Sequence, residues 1–353
     1  MGTMGFGTKK IRVMIVDDSM LARRIIQNGL SRYPNIEVVG EAFNAMDARK
    51  KLPSLNPDVM TLDVEMPGTN GIDFVKEILP IHPIPIILVS SLNLRVFDAM
   101  AVGAVDFVRK PDGMEGNDSF IEALANKIVV ASCARVRRPP LRSASVVSRP
   151  TSLPLRMNTT PSNIIIGLGA STGGTEATLE VLRRLPENIP GMVIVQHMPP
   201  GFTKMYAERL DRICQMKVKE AENGDEIVRG QVLIAPGDKQ MRVVRNGTRY
   251  TVSCMPGEKV SGHCPSVDAL FMSMAQNVRC HMVGIIMTGM GSDGAKGLLE
   301  MRKKGAYTIG QDKDSCVVYG MPMVANNIGA VMQQASCENI ASVLIRHLSN
   351  NPR

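Results

Sequence analysis

Between residues 11 and 130, short apolar runs at 11–16, 36–39, 59–62, 84–89 and 105–108 alternate with amphipathic stretches such as 20–30, 71–79 and 94–101. Apolar runs of this length are buried strands, and the stretches between them carry helical periodicity. Strands that alternate with helices predict a parallel sheet covered on both faces. In such a sheet ligands bind beyond the carboxyl ends of the strands. The residues that follow each strand are therefore the ones to read for chemistry.

Those residues are polar and mutually consistent. Asp17 and Asp18 follow the first run, Asp63 the third, Ser90 and Ser91 the fourth, and Lys110 with Pro111 the fifth. Three carboxylates at one edge repel each other unless a cation joins them, and a hard divalent ion such as Mg²⁺ takes oxygen ligands of this kind. A lysine and a hydroxyl beside them suit the oxygens of a transferred phosphoryl group. Asp63 is then a nucleophile that forms an acyl phosphate. Any one of these residues alone reads as an ordinary strand end; suitable residues after four of the five strands do not.

Residues 133–162 contain five prolines, six arginines, many serines and threonines, and no acidic residue. No apolar period runs through them, so they read as a self-repelling linker. They also account for most of the net charge of +8. Residues 1–130 carry 14 basic against 16 acidic side chains, 131–162 carry 6 against none, and 163–353 carry 21 against 17. A basic excess held in a linker, without interleaved aromatics, argues against a nucleic-acid-binding face. No apolar segment has the length of a membrane span, and the first ten residues lack a signal-peptide pattern, so a cytoplasmic location is expected. Seven scattered cysteines without a C-x-x-C pair read as free thiols, not as a disulfide framework or zinc knuckle. The expected organisation is an extension at 1–10, a first domain at 11–130, the linker at 131–162 and a second domain at 163–353. The expected fold class is α/β: two doubly wound parallel-sheet domains joined by a flexible linker.

In the second half, an apolar strand at 163–167 runs into Gly167-Leu168-Gly169-Ala170-Ser171-Thr172-Gly173-Gly174, followed by a helical pattern at 176–185. One reading is a dinucleotide-binding turn. That fingerprint asks for an acidic residue after the next strand, where His197 stands, and no G-K-[ST] is present for a P-loop. The other reading is a nucleophile on a tight turn, since 169–173 fit G-x-S-x-G and leave Ser171 at a helix start. Ser171 then needs a base. His197 directly follows the strand at 191–196 and is preferred; His263, in the loop S-G-H-C-P-S, is the alternative and could border the pocket. Asp293 follows the strand at 283–287 in a glycine-dense turn before a helical pattern at 295–303. It reads either as a helix N-terminal acid or as the carboxylate that orients the base. With Ser171 and His197 at matching strand ends, the triad reading is favoured. The order Ser, His, Asp differs from that of α/β-hydrolases.

Two resemblances extend these readings. M-I-V-D-D-S, L-D-V-E-M-P-G…G-I-D-F and V-D-F-V-R-K-P resemble a response-regulator receiver domain over about residues 11–130. The likeness implies that a sensor histidine kinase phosphorylates Asp63, that Asp17 and Asp18 help hold Mg²⁺, that Ser90 and Lys110 sense the phosphoryl group, and that Phe107 is an aromatic switch. Gly68-Thr69-Asn70-Gly71 departs from the basic residue and M-D-G common there, which puts the phosphorylation kinetics in doubt. G-A-S-T-G-G-T-E-A, V-Q-H-M-P-P-G-F-T, I-A-P-G-D-K-Q-M, P-S-V-D-A-L-F and I-I-M-T-G-M-G-S-D-G-A resemble the catalytic domain of the chemotaxis protein-glutamate methylesterases over about residues 162–350. That likeness implies Ser171 as nucleophile, His197 as general base and then acid, and Asp293 as orienter. It places Thr172 and Met290 beside the ester or the oxyanion site. The implied substrates are glutamate methyl esters, and particular glutamines, on methyl-accepting chemotaxis receptors, with no cofactor in the catalytic domain. An unphosphorylated receiver that blocks the pocket is the expected control. A transcriptional response regulator and a nucleotide-binding oxidoreductase are the alternatives; no helix-turn-helix pattern supports the first.

Overall fold

A computed structural model describes residues 9–66, 71–91, 95–111, 116–136 and 164–350. They fall into two compact units, one within 1–145 and one within 146–353. The first unit runs β1 (Ile11–Val16), α1 (Met20–Leu30), β2 (Ile36–Ala42), α2 (Ala45–Leu55), β3 (Val59–Asp63), α3 (Gly71–Ile78), β4 (Ile86–Ser90), α4 (Arg95–Ala101), β5 (Asp106–Arg109) and α5 (Asn117–Ser132). All pairings are parallel, in the order β2-β1-β3-β4-β5. β3 and β4 are fully buried, which is why they are apolar apart from Thr61 and the terminal Asp63 and Ser90. β2 lies at the sheet edge and is only partly buried, so it continues through Gly40 and Glu41, beyond the apolar run that marks it in the sequence. Ser19 and Asn44 start α1 and α2 by accepting from Ala22 N and Asp47 N, which places the ends of β1 and β2 at the same rim.

The second unit runs β6 (Ile164–Ala170), α6 (Gly174–Leu182), β7 (Met192–Gln196), α7 (Phe202–Ile213), β8 (Lys217–Glu220), β9 (Gln231–Ile234), β10 (Gln240–Asn246), β11 (Arg249–Met255), α8 (Val267–Asn277), β12 (His281–Ile286), α9 (Ala295–Lys303), β13 (Tyr307–Gln311), α10 (Met321–Asn327), β14 (Gln333–Ala335) and α11 (Cys337–Asn350). Seven strands form one parallel sheet in the order β14-β13-β12-β6-β7-β9-β8. From β6 the chain winds outward through β7, and from β12 it winds the other way. The switch point therefore lies between β6 and β12, where ligand crevices form.

The α/β class with doubly wound parallel sheets agrees with the expectation. One element was not foreseen: β10 and β11 form an antiparallel hairpin apart from the main sheet. Its signal is Asn246-Gly247 between two alternating runs, with Gly247 at φ +63°. The hairpin packs on α8, which in turn lies tightly on β6. A Cβ at Gly169 would stand 2.1 Å from Val267 Cγ1, so only glycine permits that approach. All seven cysteines are free. Among the described residues, no helix is long and apolar enough to cross a membrane. The expected extension at 1–8, the linker from 137 onward and the departure at 68–70 lie outside the described residues.

Candidate active site

Ser171, His197 and Asp293 come from the ends of β6, β7 and β12, three strands that are neighbours in the middle of the sheet. Ser171 N donates to Thr288 O at 2.9 Å, and His197 N donates to Ala170 O at 3.1 Å. These bonds tie the three strand ends together. Gly173, at φ +76°, turns the chain from β6 into α6 and leaves Ser171 at the rim. His197 Nδ1 lies 3.1 Å from Ser171 Oγ, and His197 Nε2 lies 2.8 Å from Asp293 Oδ2. With Nε2–H donated to the carboxylate, Nδ1 presents its lone pair to the hydroxyl.

Asp293 is buried and saturated with donors. Besides His197, it accepts from Ser266 Oγ at 2.8 Å, Val267 N at 2.8 Å and Asp268 N at 2.9 Å. It therefore caps α8, not the helix that follows it in the chain. Burial alone pushes its carboxyl upward. The His197 hydrogen bond and charge, with the Asp268 amide and the Ser266 hydroxyl, outweigh that and hold it below the usual carboxylate range.

The other expected residues border this centre. Thr172 is buried, and its carbonyl accepts from Thr288 Oγ1 at 3.0 Å. Met290 is 41% exposed, beside the bridge between Gly289 and Tyr319. The ring of His263, the alternative base, stacks on His197, and its Nδ1 lies 2.9 Å from Ser261 O. Sequence reasoning missed three supporting side chains. Thr288 links Thr172 O, Val318 and, through its own amide, Gln311 Oε1 at 2.8 Å. Gln196 Nε2 donates to Ser171 O at 2.8 Å. Ser266 was legible as a cap before the pattern V-D-A-L-F, although its bond to Asp293 was not. His197, His263 and Asp293 also bring ligand atoms within 4.8 Å of one another. Their two rings are parallel, so the nitrogen lone pairs run side by side and do not converge on a metal.

The first unit carries a second polar centre. Asp17 and Asp63 are buried and Asp18 is exposed, with oxygens of all three within 4.8 Å. Lys110 Nζ lies 2.6 Å from Asp63 Oδ2 and 2.9 Å from Asp17 Oδ2. Burial raises the Asp63 carboxyl, and the bonds from Lys110 and Glu65 N lower it by less. The Lys110 ammonium loses by burial and gains more from the two carboxylates, ending above its ordinary value. Ser90 is buried at the end of β4, and Phe107 is 3% exposed, meeting Phe97 edge to face at 6.1 Å.

Comparison with known proteins places this geometry. The CheB methylesterase family model matches residues 166–344, and the response regulator receiver domain model matches 13–117. The chain belongs to the CheB methylesterase family. This methylesterase-family chain is 51% identical over 341 residues to protein-glutamate methylesterase/protein-glutamine glutaminase 2 of Syntrophomonas wolfei subsp. wolfei, covering 96% of this chain and 98% of that protein. It is 46% identical over 347 residues to the protein-glutamate methylesterase/protein-glutamine glutaminase of Syntrophotalea carbinolica, covering 97% and 98%. The crystal structure of the Thermotoga maritima CheB methylesterase catalytic domain matches with a TM-score of 0.51 and 36% identity, covering 52% of this chain and 97% of that one. The family's two domain types thus coincide with the two polar centres.

Proposed function

We propose that this chain is a protein-glutamate methylesterase and protein-glutamine glutaminase, and that its receiver domain controls it by phosphorylation at Asp63. The observation that carries the reading is the continuous chain from Ser171 Oγ through both nitrogens of His197 to Asp293, at 3.1 and 2.8 Å. Ser171 Oγ attacks the ester carbonyl while His197 Nδ1 takes its proton. His197 returns that proton to the departing methoxide, and methanol leaves a glutamyl-enzyme. Water, deprotonated by His197, attacks the acyl carbon and frees Ser171 and the carboxylate. Asp293 stays ionised and holds Nε2–H, which fixes the tautomer. An amide substrate follows the same route with ammonia as leaving group. Thr172 and Met290 border the ester or its oxyanion.

In the receiver, Asp63 is the phosphate acceptor, Ser90 and Lys110 contact the phosphoryl oxygens, and Phe107 reports the change. Asp17, Asp18 and Asp63 suit Mg²⁺: they are hard oxygen donors whose ligand atoms all lie within 4.8 Å of one another. When bound, Mg²⁺ neutralises charge on the phosphoryl oxygens. The proposed substrates are methyl-accepting chemotaxis receptors, the proposed phosphodonor is a chemotaxis sensor histidine kinase, and the proposed location is the cytoplasm. The proposed division remains extension 1–10, receiver 11–130, linker 131–162 and catalytic domain 163–353. The test is methanol release from methylated receptors, with and without a phosphodonor, by the wild type and Ser171→Ala. A Ser171→Ala protein that keeps its turnover would end the reading.

A further inference from the structure

His263 has no task in the scheme above, yet its ring lies flat against His197, with centroids 3.8 Å apart and planes 9° from parallel. Its backbone is clamped from three sides. Val260 and His263 exchange hydrogen bonds of 3.0 and 2.9 Å. The turn between them places Ser261 and Gly262 at φ +50° and +83°. Two consecutive left-handed residues make a tight turn. Ser261 Oγ donates to Asp268 Oδ2 of α8 at 2.8 Å, and Gln240 Nε2, at the start of β10, donates to the His263 carbonyl at 2.9 Å. The imidazole itself donates Nδ1–H to Ser261 O at 2.9 Å, which sets its plane.

We propose that His263 is a positioning residue for the ester hydrolysis, a flat wall that keeps the His197 ring in the plane joining Ser171 to Asp293. The need for such a wall follows from the bond about which the ring turns. An imidazole on an sp³ carbon has a broad torsional well. Asp293 pins one ring edge at 2.8 Å, and Ser171 holds the other more loosely at 3.1 Å. A tilt about the pinned edge carries Nδ1 away from the hydroxyl. The stacked ring blocks that tilt on one face and covers His197, whose side chain is 10% exposed against 41% for His263.

The stack also constrains charge. His197 becomes an imidazolium during turnover, and a second imidazolium on its face opposes it. Charged and titratable groups near His263 include His197, Asp293 at 3.9 Å from Nδ1, Asp268 behind Ser261, and Glu258, Lys259 and Cys264 in its own segment. Asp293 offsets one imidazolium, not two.

This inference rests on Ser171, His197 and Asp293 as the reacting groups, and the test separates the two. The full chain, activated with acetyl phosphate, is assayed for methanol release from methylated receptors across pH. For His263→Ala we expect kcat to fall about 10- to 100-fold with KM nearly unchanged, the scale of a misplaced base. His263→Phe, which keeps the flat face and loses the nitrogens, recovers most of kcat. A His263→Ala enzyme with wild-type kcat overturns the proposal, as does a His263→Phe enzyme no faster than His263→Ala. If His263→Ala fails to fold, His263→Gln against His263→Phe makes the same comparison. Ser171→Ala is the control: if it is inactive while His263→Ala is fully active, only the wall fails, and if it is active, the triad fails as well.

Discussion

Asp293 Oδ2 accepts from the Val267 amide at 2.8 Å, across a helix and a strand of intervening chain. The same oxygen takes the His197 bond. The carboxylate that orients the histidine is thus also the anion at the amino end of α8, where the helix dipole favours negative charge. Orientation of the base and capping of a core helix are one interaction.

Replacing Asp293 by asparagine tests that double duty. Each group around the carboxylate is a donor, so an amide NH₂ at 293 faces N–H and O–H groups with another donor. We expect turnover to fall roughly 10⁴-fold, as for other triads that lose the orienting charge. We expect stability to drop by about 1–3 kcal/mol from the unmatched donors. Methanol release and calorimetry measure the two effects. Ser266→Ala, which removes one donor and the cap of α8, is expected to lower stability by about 1 kcal/mol.

The two buried aspartates bias stability oppositely with pH. Asp293 sits below the ordinary carboxylate value of 3.8, so its contribution is present above that pH and lost as pH falls through the folded value. Asp63 sits above the same ordinary value of 3.8, chiefly because it is buried. Its contribution is present below that pH and lost as pH rises through the folded value. At neutral pH the ionised Asp63 therefore opposes folding of the receiver. Asp63→Asn is expected to raise the receiver melting midpoint at pH 7, and that gain is expected to vanish in acid; calorimetry at both pH values checks the sign.

A methyl group at Gly289 is expected to act on the nucleophile. Its Cβ would stand 2.6 Å from Ser171 Cβ and 2.4 Å from Met321 Sδ. Gly289→Ala is expected to lower kcat by about 10²-fold through displacement of the hydroxyl, with only a modest loss of stability. Steady-state kinetics and a melting curve separate the two.

Control by the receiver predicts that residues 161–353 alone release methanol faster than the unphosphorylated whole chain, and that phosphorylation narrows the gap. A complete shift between restrained and active populations takes about 5.5 kcal/mol, more than a few phosphoryl contacts supply, so activation of the whole chain is expected to stay below that of the fragment. Equal rates for fragment and unphosphorylated chain would remove the restraint.

Much of the fold was legible because buried parallel strands are unbroken apolar runs, and strand ends announce themselves by a change to Asp, Ser, His or Lys. Asp17, Asp63, Lys110, Ser171 and His197 were all found that way. The edge strand β2 was read short because only part of it is buried. The hairpin at 240–255 was missed because the parallel plan directed attention away from Asn246-Gly247. What Asp293 caps was not legible, since its partners at 266–268 lie in another element and nothing in local spacing connects them. The same holds for the stacking of His263 on His197, which depends on how Gln240 and Asp268 anchor the segment that carries His263.

β6, β7 and β12 are adjacent in the interior of the seven-stranded sheet, and Thr288 fastens their ends. The borders of that sheet, β8 and β14, hold none of the reacting groups. Changes confined to those flanks are therefore expected to leave the convergence of the three side chains intact.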